Sequence, residues 1–296
     1  MTIQKFGIKL IGLLLLPLIA FQSCNNSKSQ ETTATEKEMK AERIISLNGG
    51  LSEIVYALGK GKSLVGRDVT STYPDYVKDS VKDLGHIRSL STEAILSLQP
   101  TMILALKGEI NEKLSTDLKN SGIAFHTFEP SLSEENTKKL IDEIGTLVGN
   151  TNTQSLKDKI DQDKSDLKAF TKKPKVLFIY ARGAGNLMVA GAGTPMQAVM
   201  EMAGAENAIQ GIQDFKPLTE ESLLNANPDV VLMFDMSLKS LGGKEAIFNT
   251  IPALSKTKAG INKALIVMDS GLLSEMGTRL GEAIKTLNQL LIPYAQ

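Results

Sequence analysis

The amino-acid sequence predicts an α/β protein made of two similar α/β lobes, joined by one long helix, with a ligand cleft between the lobes. Three observations support this prediction. Short aliphatic runs alternate with helical patterns, one stretch of the first half recurs in the second half, and an amphipathic segment separates the halves. We assign residues 1–23 to a signal peptide, 24–41 to a lipidated polar tether, 42–150 to the N-terminal lobe, 151–173 to the connecting helix and 174–296 to the C-terminal lobe.

The amino terminus has the pattern of a secretion signal. Lys5 and Lys9 precede or flank the apolar run LIGLLLLPLIAF, which is too short to span a bilayer comfortably and is soon followed by the chain's only cysteine, Cys24. The segment AFQSC resembles the lipobox of bacterial lipoproteins, in which the cysteine is acylated. We therefore expect a periplasmic or cell-surface protein that is lipid-anchored through Cys24. The alternative is a stray cysteine beside a signal cleavage site.

The tether that follows Cys24 reads NNSKSQETTATEKEMKAE and contains no aromatic residue. Such a polar segment buries too little apolar surface to fold, so we expect a flexible connection between the anchor and the lobes. Because the chain has one cysteine, the sequence offers neither a disulfide framework nor a cysteine metal cluster.

Strand and helix patterns alternate through both lobes. In the N-terminal lobe they follow one another as RIISL, LSEIVYALG, LVGRD, STEAILSLQP and TMILAL. After residue 174 the order recurs as KVLFIYA, TPMQAVMEMAG, TEESLLNANP and DVVLMF. Strands interleaved with helices of this length are typical of βαβ units and mostly parallel sheets.

An internal repeat relates the two lobes. When STEAILSLQPTMIL is laid over LTEESLLNANPDVVL, Glu93 pairs with Glu221 and Pro100 with Pro228. Each copy predicts a helix that begins at a Ser or Thr cap, with an acidic residue in its first turn, followed by Pro and a buried strand. The repeat therefore predicts two lobes of similar construction.

The segment between the lobes predicts the connecting helix. Leu156, Ile160 and Leu167 fall on one face of a helical pattern that runs from about 151 to 172 and ends before Pro174. At about 1.5 Å per residue, such a helix is long enough to act as a stiff strut across a small domain.

Composition and motifs exclude several function classes. Lys+Arg and Asp+Glu are equal at 33 each, and no dense basic stripe is present, so we do not expect nucleic-acid binding. Neither a G-x-S-x-G elbow nor a G-x-x-x-x-G-K-[ST] loop occurs, so we do not expect an enzyme. With two histidines and one cysteine, the chain offers few ligands for a zinc or manganese receptor.

Five segments of the chain read RIISLNGGLSEIVYALG, VTSTYP, GHIRSLS, FKPLTEESLLNANPDVVLM and MGTRLGEAI. Together they resemble the periplasmic haem-binding proteins of bacterial haem-uptake ABC transporters, over roughly residues 42 to 292. These belong to a helix-strut group that also carries cobalamin and ferric siderophores. The resemblance implies a monomeric binding protein that captures haem as cargo and delivers it to a permease dimer with its ATPase. Cobalamin or a ferric siderophore is the alternative cargo.

The resemblance also implies an iron ligand. In the haem branch the segment commonly reads Gly-Tyr-Met-Arg, and its tyrosine binds haem iron; here the matching positions are Gly85, His86, Ile87 and Arg88. Histidine binds haem iron too, so His86 is the expected ligand and Arg88 its support or a propionate contact. The alternative for His86 is that a lone histidine in a loop is a solvated polar residue without a ligand. For the second histidine, His126, we prefer a structural role in a strand.

Further residues are expected to contact haem. Its propionates require cationic donors, and Arg67, Arg182 and Arg279 fall in predicted loops after strands, although Arg67 and Arg182 equally fit surface charges. Tyr73 fits a pocket wall or a packing contact under Pro74.

A thioether from the C-terminal lobe is the candidate second iron ligand. Met276 is our choice because its loop could face the cleft, and Met188 and Met236 compete with it. The alternative for all three is core or rim packing.

Glu93 and Glu221 are the candidate permease-docking residues. In the related binding proteins one exposed glutamate per lobe docks into arginines of the permease, and these two occupy matched places in the repeat. The alternative is that each acid only favours its helix start, which contributes about 0.3–1 kcal/mol.

Overall fold

A computed structural model describes residues 42–295 of the chain. The predicted signal peptide, the acylation at Cys24 and the polar tether lie outside the described residues. Between residues 42 and 295, no helix combines the length and apolar character needed to cross a membrane.

Within the described residues, the N-terminal lobe contains a five-stranded sheet with the order β3-β2-β1-β4-β5. All neighbouring strands in it are parallel, as predicted. The strands are β1 (Ile44–Ser46), β2 (Leu64–Arg67), β3 (Lys82–Asp83), β4 (Met102–Leu106) and β5 (Ala124–Phe128). The helices are α1 (Gly49–Val55), α2 (Asp75–Ser80), α3 (Thr92–Ser97), α4 (Glu112–Lys119) and α5 (Glu134–Leu147).

The central strands of this sheet are buried on both faces. Ile44 and Leu104 belong to the core that includes residues of α1 and α5, whereas Ile45 and Ile103 belong to the core that includes residues of α3 and α4. Successive side chains of a strand point to opposite faces, so a strand covered by helices on both sides needs a continuous apolar run. This explains why RIISL and TMILAL do not alternate in polarity.

The connecting helix is shorter than the predicted 151–173: α6 spans Gln154–Asp163. Beyond it, Leu167 and Phe170 pack against the core of the C-terminal lobe. The side chain of Asn288 accepts a hydrogen bond from the Lys168 N–H at 2.8 Å and donates one to the Lys168 carbonyl at 3.0 Å. These tertiary contacts hold the backbone in a non-helical path that the amphipathic pattern does not reveal.

The helix α6 nevertheless packs against both lobes. Ile160 is fully buried in a core cluster of the N-terminal lobe. On the other side, a Cβ atom at Gly281 would lie 2.5 Å from the Ile160 carbonyl oxygen, so only glycine allows this close approach.

The C-terminal lobe contains a second sheet with the order β11-β10-β6-β7-β9, and β8 pairs with β6. Its strands are β6 (Lys175–Ala181), β7 (Leu187–Ala190), β8 (Glu206–Asn207), β9 (Phe215–Pro217), β10 (Val230–Phe234) and β11 (Leu265–Met268). Its helices are α7 (Pro195–Met202), α8 (Glu220–Ala226), α9 (Asp235–Ser240), α10 (Lys244–Thr250), α11 (Lys258–Ile261), α12 (Ser270–Ser274) and α13 (Leu280–Leu291). Strand β7 is antiparallel to β6 and β9, which departs from the parallel pattern of the first lobe.

The predicted repeat is present in the structure. Ser91 caps helix α3 and Thr219 caps helix α8, and each cap side chain accepts a hydrogen bond from the backbone N–H three residues later. A buried strand follows each helix, β4 in the first lobe and β10 in the second. Both copies satisfy the free N–H groups of a helix start in the same way, which is why the pattern is readable in the sequence.

Candidate functional site

The two lobes meet where the start of α1, beyond the carboxyl end of β1, contacts the segment between α12 and α13. We call residues 49–53 of the N-terminal lobe and 275–279 of the C-terminal lobe the interlobe seam. The Gly50 N–H donates a hydrogen bond to Glu275 Oε2 at 3.1 Å across this seam. Beside it, Thr137 Oγ1 donates to the Met276 carbonyl at 3.2 Å. In open α/β sheets this end of the strands is where ligands bind.

Two glycines allow the seam to be this close. A Cβ atom at Gly50 would lie 2.1 Å from the Glu275 carbonyl oxygen, and one at Gly49 would lie 2.4 Å from Glu275 Oε2. A side chain at Gly50 would therefore require the opposite backbone to move, whereas one at Gly49 would displace the Glu275 side chain. The Asn-Gly-Gly sequence, one residue after β1, is the local signal of this contact.

A buried ion pair crosses the seam. Arg279 donates to Glu53 Oε1 from Nε at 3.0 Å and from Nη2 at 2.5 Å, and Glu53 is 3% exposed. The guanidinium carbon of Arg279 lies 3.7 Å from the centroid of the Tyr73 ring, a cation–π contact. Burial raises the pKa of Glu53, and the hydrogen bonds and charge of Arg279 oppose that rise.

This geometry changes the role expected for Arg279. We predicted it as a free cation for a haem propionate, but its charge is already neutralised by Glu53. Tyr73 remains 44% exposed and lies beside this pair, so it is available as a pocket wall.

Three more carboxyl groups lie near the seam and interact with one another, and sequence reasoning missed all of them. Asp68 is 1% exposed and accepts hydrogen bonds from Ser71 Oγ at 2.6 Å and from the Thr70 N–H at 3.0 Å. Glu109 accepts a 3.4 Å hydrogen bond from Asn48 Nδ2. The third group is Glu275, which is half-buried.

Like charges and burial act together on two of these carboxyl groups. Burial, followed by the negative charge of Asp68, raises the pKa of Glu109 to about 7. Burial also raises the pKa of Glu275 well above its ordinary value, and the charges of Asp68, Glu53 and Glu109 add to the effect. The carboxyl group that crosses the seam therefore favours its neutral form.

Arg67 is not a ligand contact, and we correct that prediction. It is 6% exposed and donates to the carbonyls of Val77 at 3.0 Å, Lys78 at 2.9 Å and Asp68 at 3.0 Å. Its guanidinium also forms an ion pair with Asp83 at 3.2 Å. Arg67 thus satisfies carbonyl groups at the end of α2, and its donors are used inside the lobe.

His86 lies on the exposed loop after β3, as predicted. Its Nδ1 accepts a 3.3 Å hydrogen bond from the N–H of Arg88, whose side chain is also exposed. The Gly85 carbonyl accepts from the Val69 N–H at 3.0 Å, which ties this loop to the one after β2. Val69 is 42% exposed. The two loops therefore present an imidazole, a guanidinium and apolar surface on the same side of the lobe.

The bond at Nδ1 determines how His86 can bind a metal. A neutral imidazole that accepts at Nδ1 carries its proton on Nε2. If a metal were bound through Nε2, the proton would move to Nδ1, and the long hydrogen bond from Arg88, a contact of about 1 kcal/mol, would be lost. The rearrangement is small compared with a metal–nitrogen bond.

On the C-terminal lobe, Arg182 and Met236 are exposed at the ends of neighbouring strands β6 and β10. Arg182 Nε donates to Tyr180 Oη at 2.5 Å, and Met236 is 53% exposed. The Ala181 N–H donates to Ser237 Oγ at 3.1 Å, so the two strand ends are tied together.

Met276 does not fit the role of a second iron ligand, and we correct that prediction as well. It is 5% exposed and belongs to the core of the C-terminal lobe, at a backbone φ of +50°. Met188 is half-buried in β7. Of the three methionines considered, Met236 is the most exposed.

Other predicted residues lie where the sequence placed them. Glu93 and Glu221 are exposed in the first turns of α3 and α8. His126 lies in β5, half-buried, opposite Leu104 of β4. Among residues 42–295, no group of three or more His, Cys, Asp or Glu side chains is arranged to hold a metal ion.

Two α/β lobes that meet at their strand ends and share a bridging helix define a two-lobed ligand-binding protein. The chain belongs to the periplasmic binding protein family, whose characteristic sequence pattern matches residues 44–272.

Three similar proteins refine this assignment. An ABC transporter substrate-binding lipoprotein of Bacillus subtilis, YvrC, is 27% identical over 276 residues, 90% of this chain and 84% of the relative. A cobalamin-binding protein of Halobacterium salinarum is 26% identical over 209 residues, 68% of this chain and 56% of the relative. The apo structure of the periplasmic heme-binding protein RhuT from Roseiflexus sp. RS-1 is 32% identical with a TM-score of 0.81, covering 87% of this chain and 100% of that chain. The protein is thus a substrate-binding protein of an ABC transporter and not an enzyme.

Proposed function

We propose that the protein captures haem outside the cytoplasm and delivers it to an ABC importer, with His86 as the iron ligand. The observation that carries this proposal is the exposed His86 beside Arg88 and the apolar surface of the neighbouring loop. Haem needs an axial ligand, cations for its propionates and apolar walls for its ring. The 32% identity to a heme-binding protein supports the same cargo.

Each lobe contributes distinct groups to this site. In the N-terminal lobe, His86 binds iron through Nε2, Arg88 pairs with a propionate and Tyr73 contacts the ring. In the C-terminal lobe, Arg182 supplies a second cation. Met236 replaces Met276 as the candidate second ligand because its thioether is exposed.

The remaining parts of the proposal concern delivery. Acylation of Cys24 anchors the mature chain to the membrane, and the exposed Glu93 and Glu221 dock on the permease dimer and its ATPase. Their matched positions at two helix starts, one per lobe, support this role. The protein acts as a monomer.

Absorption spectroscopy with added haem tests the proposal. We expect purified protein to bind haem with a saturating Soret band, and His86→Ala to weaken binding and shift the Soret and visible bands. His126→Ala is the matched control and should leave both unchanged. His86→Tyr should restore binding with the charge-transfer features of a phenolate ligand. A wild-type spectrum in His86→Ala would assign iron to another residue.

Cobalamin is the second candidate cargo, favoured by the Halobacterium salinarum relative. The same titration distinguishes the two. If cobalamin binds tightly while haem gives no saturable spectrum, the haem assignment is wrong and the substrate-binding role is retained. Titration with a ferric siderophore tests the remaining alternative cargo in the same way.

A further inference from the structure

The interlobe seam has an unbalanced set of charges. The N-terminal lobe contributes Glu53, Asp68 and Glu109, whose charges all act on Glu275, whereas the C-terminal lobe contributes Glu275 and Arg279. The guanidinium of Arg279 is committed to Glu53.

The other three carboxyl groups are hydrogen-bonded by neutral donors. Within residues 42–295 these donors are hydroxyl, amide and backbone N–H groups. Three further charged residues lie nearby. Arg67, which is next to Asp68 in sequence, forms an ion pair with Asp83. The negative charge of Asp269 raises the pKa of Arg279.

The backbone fixes the separation of these groups. A Cβ atom at Gly277 would lie 2.8 Å from Glu53 Oε2 and 3.1 Å from the Cα of Gly50. Together with the contact of Gly50 to the Glu275 backbone, this makes the seam a backbone-to-backbone contact. When the lobes separate, Glu275 therefore moves away from the acidic side chains of the other lobe.

Charge repulsion consequently acts across the seam and not only within one lobe. An ionised Glu275 faces Asp68, Glu53 and Glu109, which all belong to the other lobe. A neutral Glu275 removes this repulsion and keeps an oxygen that accepts from the Gly50 N–H. The attraction between Arg279 and Glu53 then dominates the contact.

We propose that the interlobe seam is a proton-operated latch: the lobes take up protons when they close and release them when they separate, so closure weakens as the pH rises. Glu275 holds the proton that is coupled to closure, because the acids that face it belong to the other lobe. The latch depends on residues of the seam and not on which ligand occupies the cleft. By linkage, any ligand that requires closed lobes binds less tightly as the seam ionises.

The direction and the pH window follow from the raised carboxyl pKa values. A carboxyl group whose pKa is raised only in the closed form stabilises that form fully below the ordinary value. This stabilisation is lost as the pH rises to the raised pKa of Glu275, which lies well above 4.5. Within the window, each such proton lowers the ratio of closed to open molecules by up to about tenfold per pH unit.

Distance measurements between spin labels test the latch without any ligand. Nitroxides on Lys139→Cys and Glu245→Cys, in a Cys24→Ser background, report the separation of the lobes from exposed sites away from the seam. We expect one short distance at about pH 5.5 and a growing longer-distance population at about pH 8.5. The Glu109→Gln/Glu275→Gln variant should keep the short distance at both pH values.

The matched control is Glu112→Gln/Glu282→Gln, which removes two exposed carboxyl groups outside the seam and should respond to pH like the unsubstituted seam. If the double seam variant does not fold, Glu275→Gln alone should reduce the response. A distance that does not change between the two pH values in the chain with an intact seam overturns the latch. So does an undiminished response in the seam variants. Because haem is absent from the experiment, either result leaves the proposed cargo untouched.

Discussion

Replacing Glu109 with glutamine should stabilise the protein at alkaline pH and change little at acid pH. The substitution keeps a side-chain oxygen for the hydrogen bond from Asn48 but removes the charge that faces Asp68. The folded protein raises the pKa of Glu109 from 4.5 to about 7. Below 4.5 the carboxyl group is protonated in both the folded and the unfolded chain, so its contribution is fully present there and is lost as the pH rises through about 7.

The size of the effect follows from that difference. At about 1.4 kcal/mol per pKa unit, ionising Glu109 costs the folded protein at most about 3.5 kcal/mol. Glu109 is half-buried, and water screens part of this repulsion, so we expect Glu109→Gln to raise the free energy of unfolding by about 1–2 kcal/mol at about pH 8. For a chain of this size that corresponds to about 2–8 °C in the unfolding midpoint.

Thermal unfolding followed by circular dichroism at about pH 5 and about pH 8 measures the effect. The control is Glu112→Gln, an exposed acid at the start of α4, whose effect should be the same at both pH values. Equal effects of Glu109→Gln at the two pH values, or destabilisation at the higher one, would refute the reasoning.

Two further predictions concern anchoring and delivery. Cys24→Ser should abolish acyl labelling and release the protein from the membrane fraction, because the thiol that accepts the lipid is gone; unchanged labelling would exclude the anchor. The double substitution of Glu93 and Glu221 with Ala should abolish haem-dependent growth and leave haem titration unchanged, since both side chains lie on exposed helix starts. The single variants provide the comparison, and normal growth of the double variant would contradict docking.

The fold class was predictable because the signals that specify it are local. A parallel strand covered on both faces reads as an apolar run, and the helix starts at Ser91 and Thr219 read as caps. The antiparallel strand β7 was not predicted. A backbone hydrogen bond from the Arg182 N–H to the Asn186 carbonyl closes the turn before it, and a short glycine-rich loop does not disclose the direction of the next strand.

The candidate site was only partly predictable, because its contacts join distant parts of the chain. His86 was singled out from a short segment because its match to the Gly-Tyr-Met-Arg segment of the haem branch is local, and its role as iron ligand stays a prediction. The seam could not, because Gly50 and Glu275 are 225 residues apart in sequence. Arg67 was misassigned for a related reason: the carbonyls that use its donors belong to a helix whose position depends on tertiary packing.

The two methionines of the C-terminal lobe give the most direct test of how that lobe contributes to haem binding. Met236 is 53% exposed beside Arg182, whereas Met276 is 5% exposed in the core. If Met236 is the second axial ligand, Met236→Leu should remove the charge-transfer band of methionine-bound ferric haem and leave one axial position to water. Met276→Leu should leave the spectrum unchanged and alter stability by less than about 1.5 kcal/mol, because leucine nearly conserves the buried volume. A spectrum that changes in Met276→Leu but not in Met236→Leu would mean that the loop after α12 rearranges to expose its thioether when haem binds. Met236 would then be a rim residue, and the second ligand would be the one that the sequence first indicated.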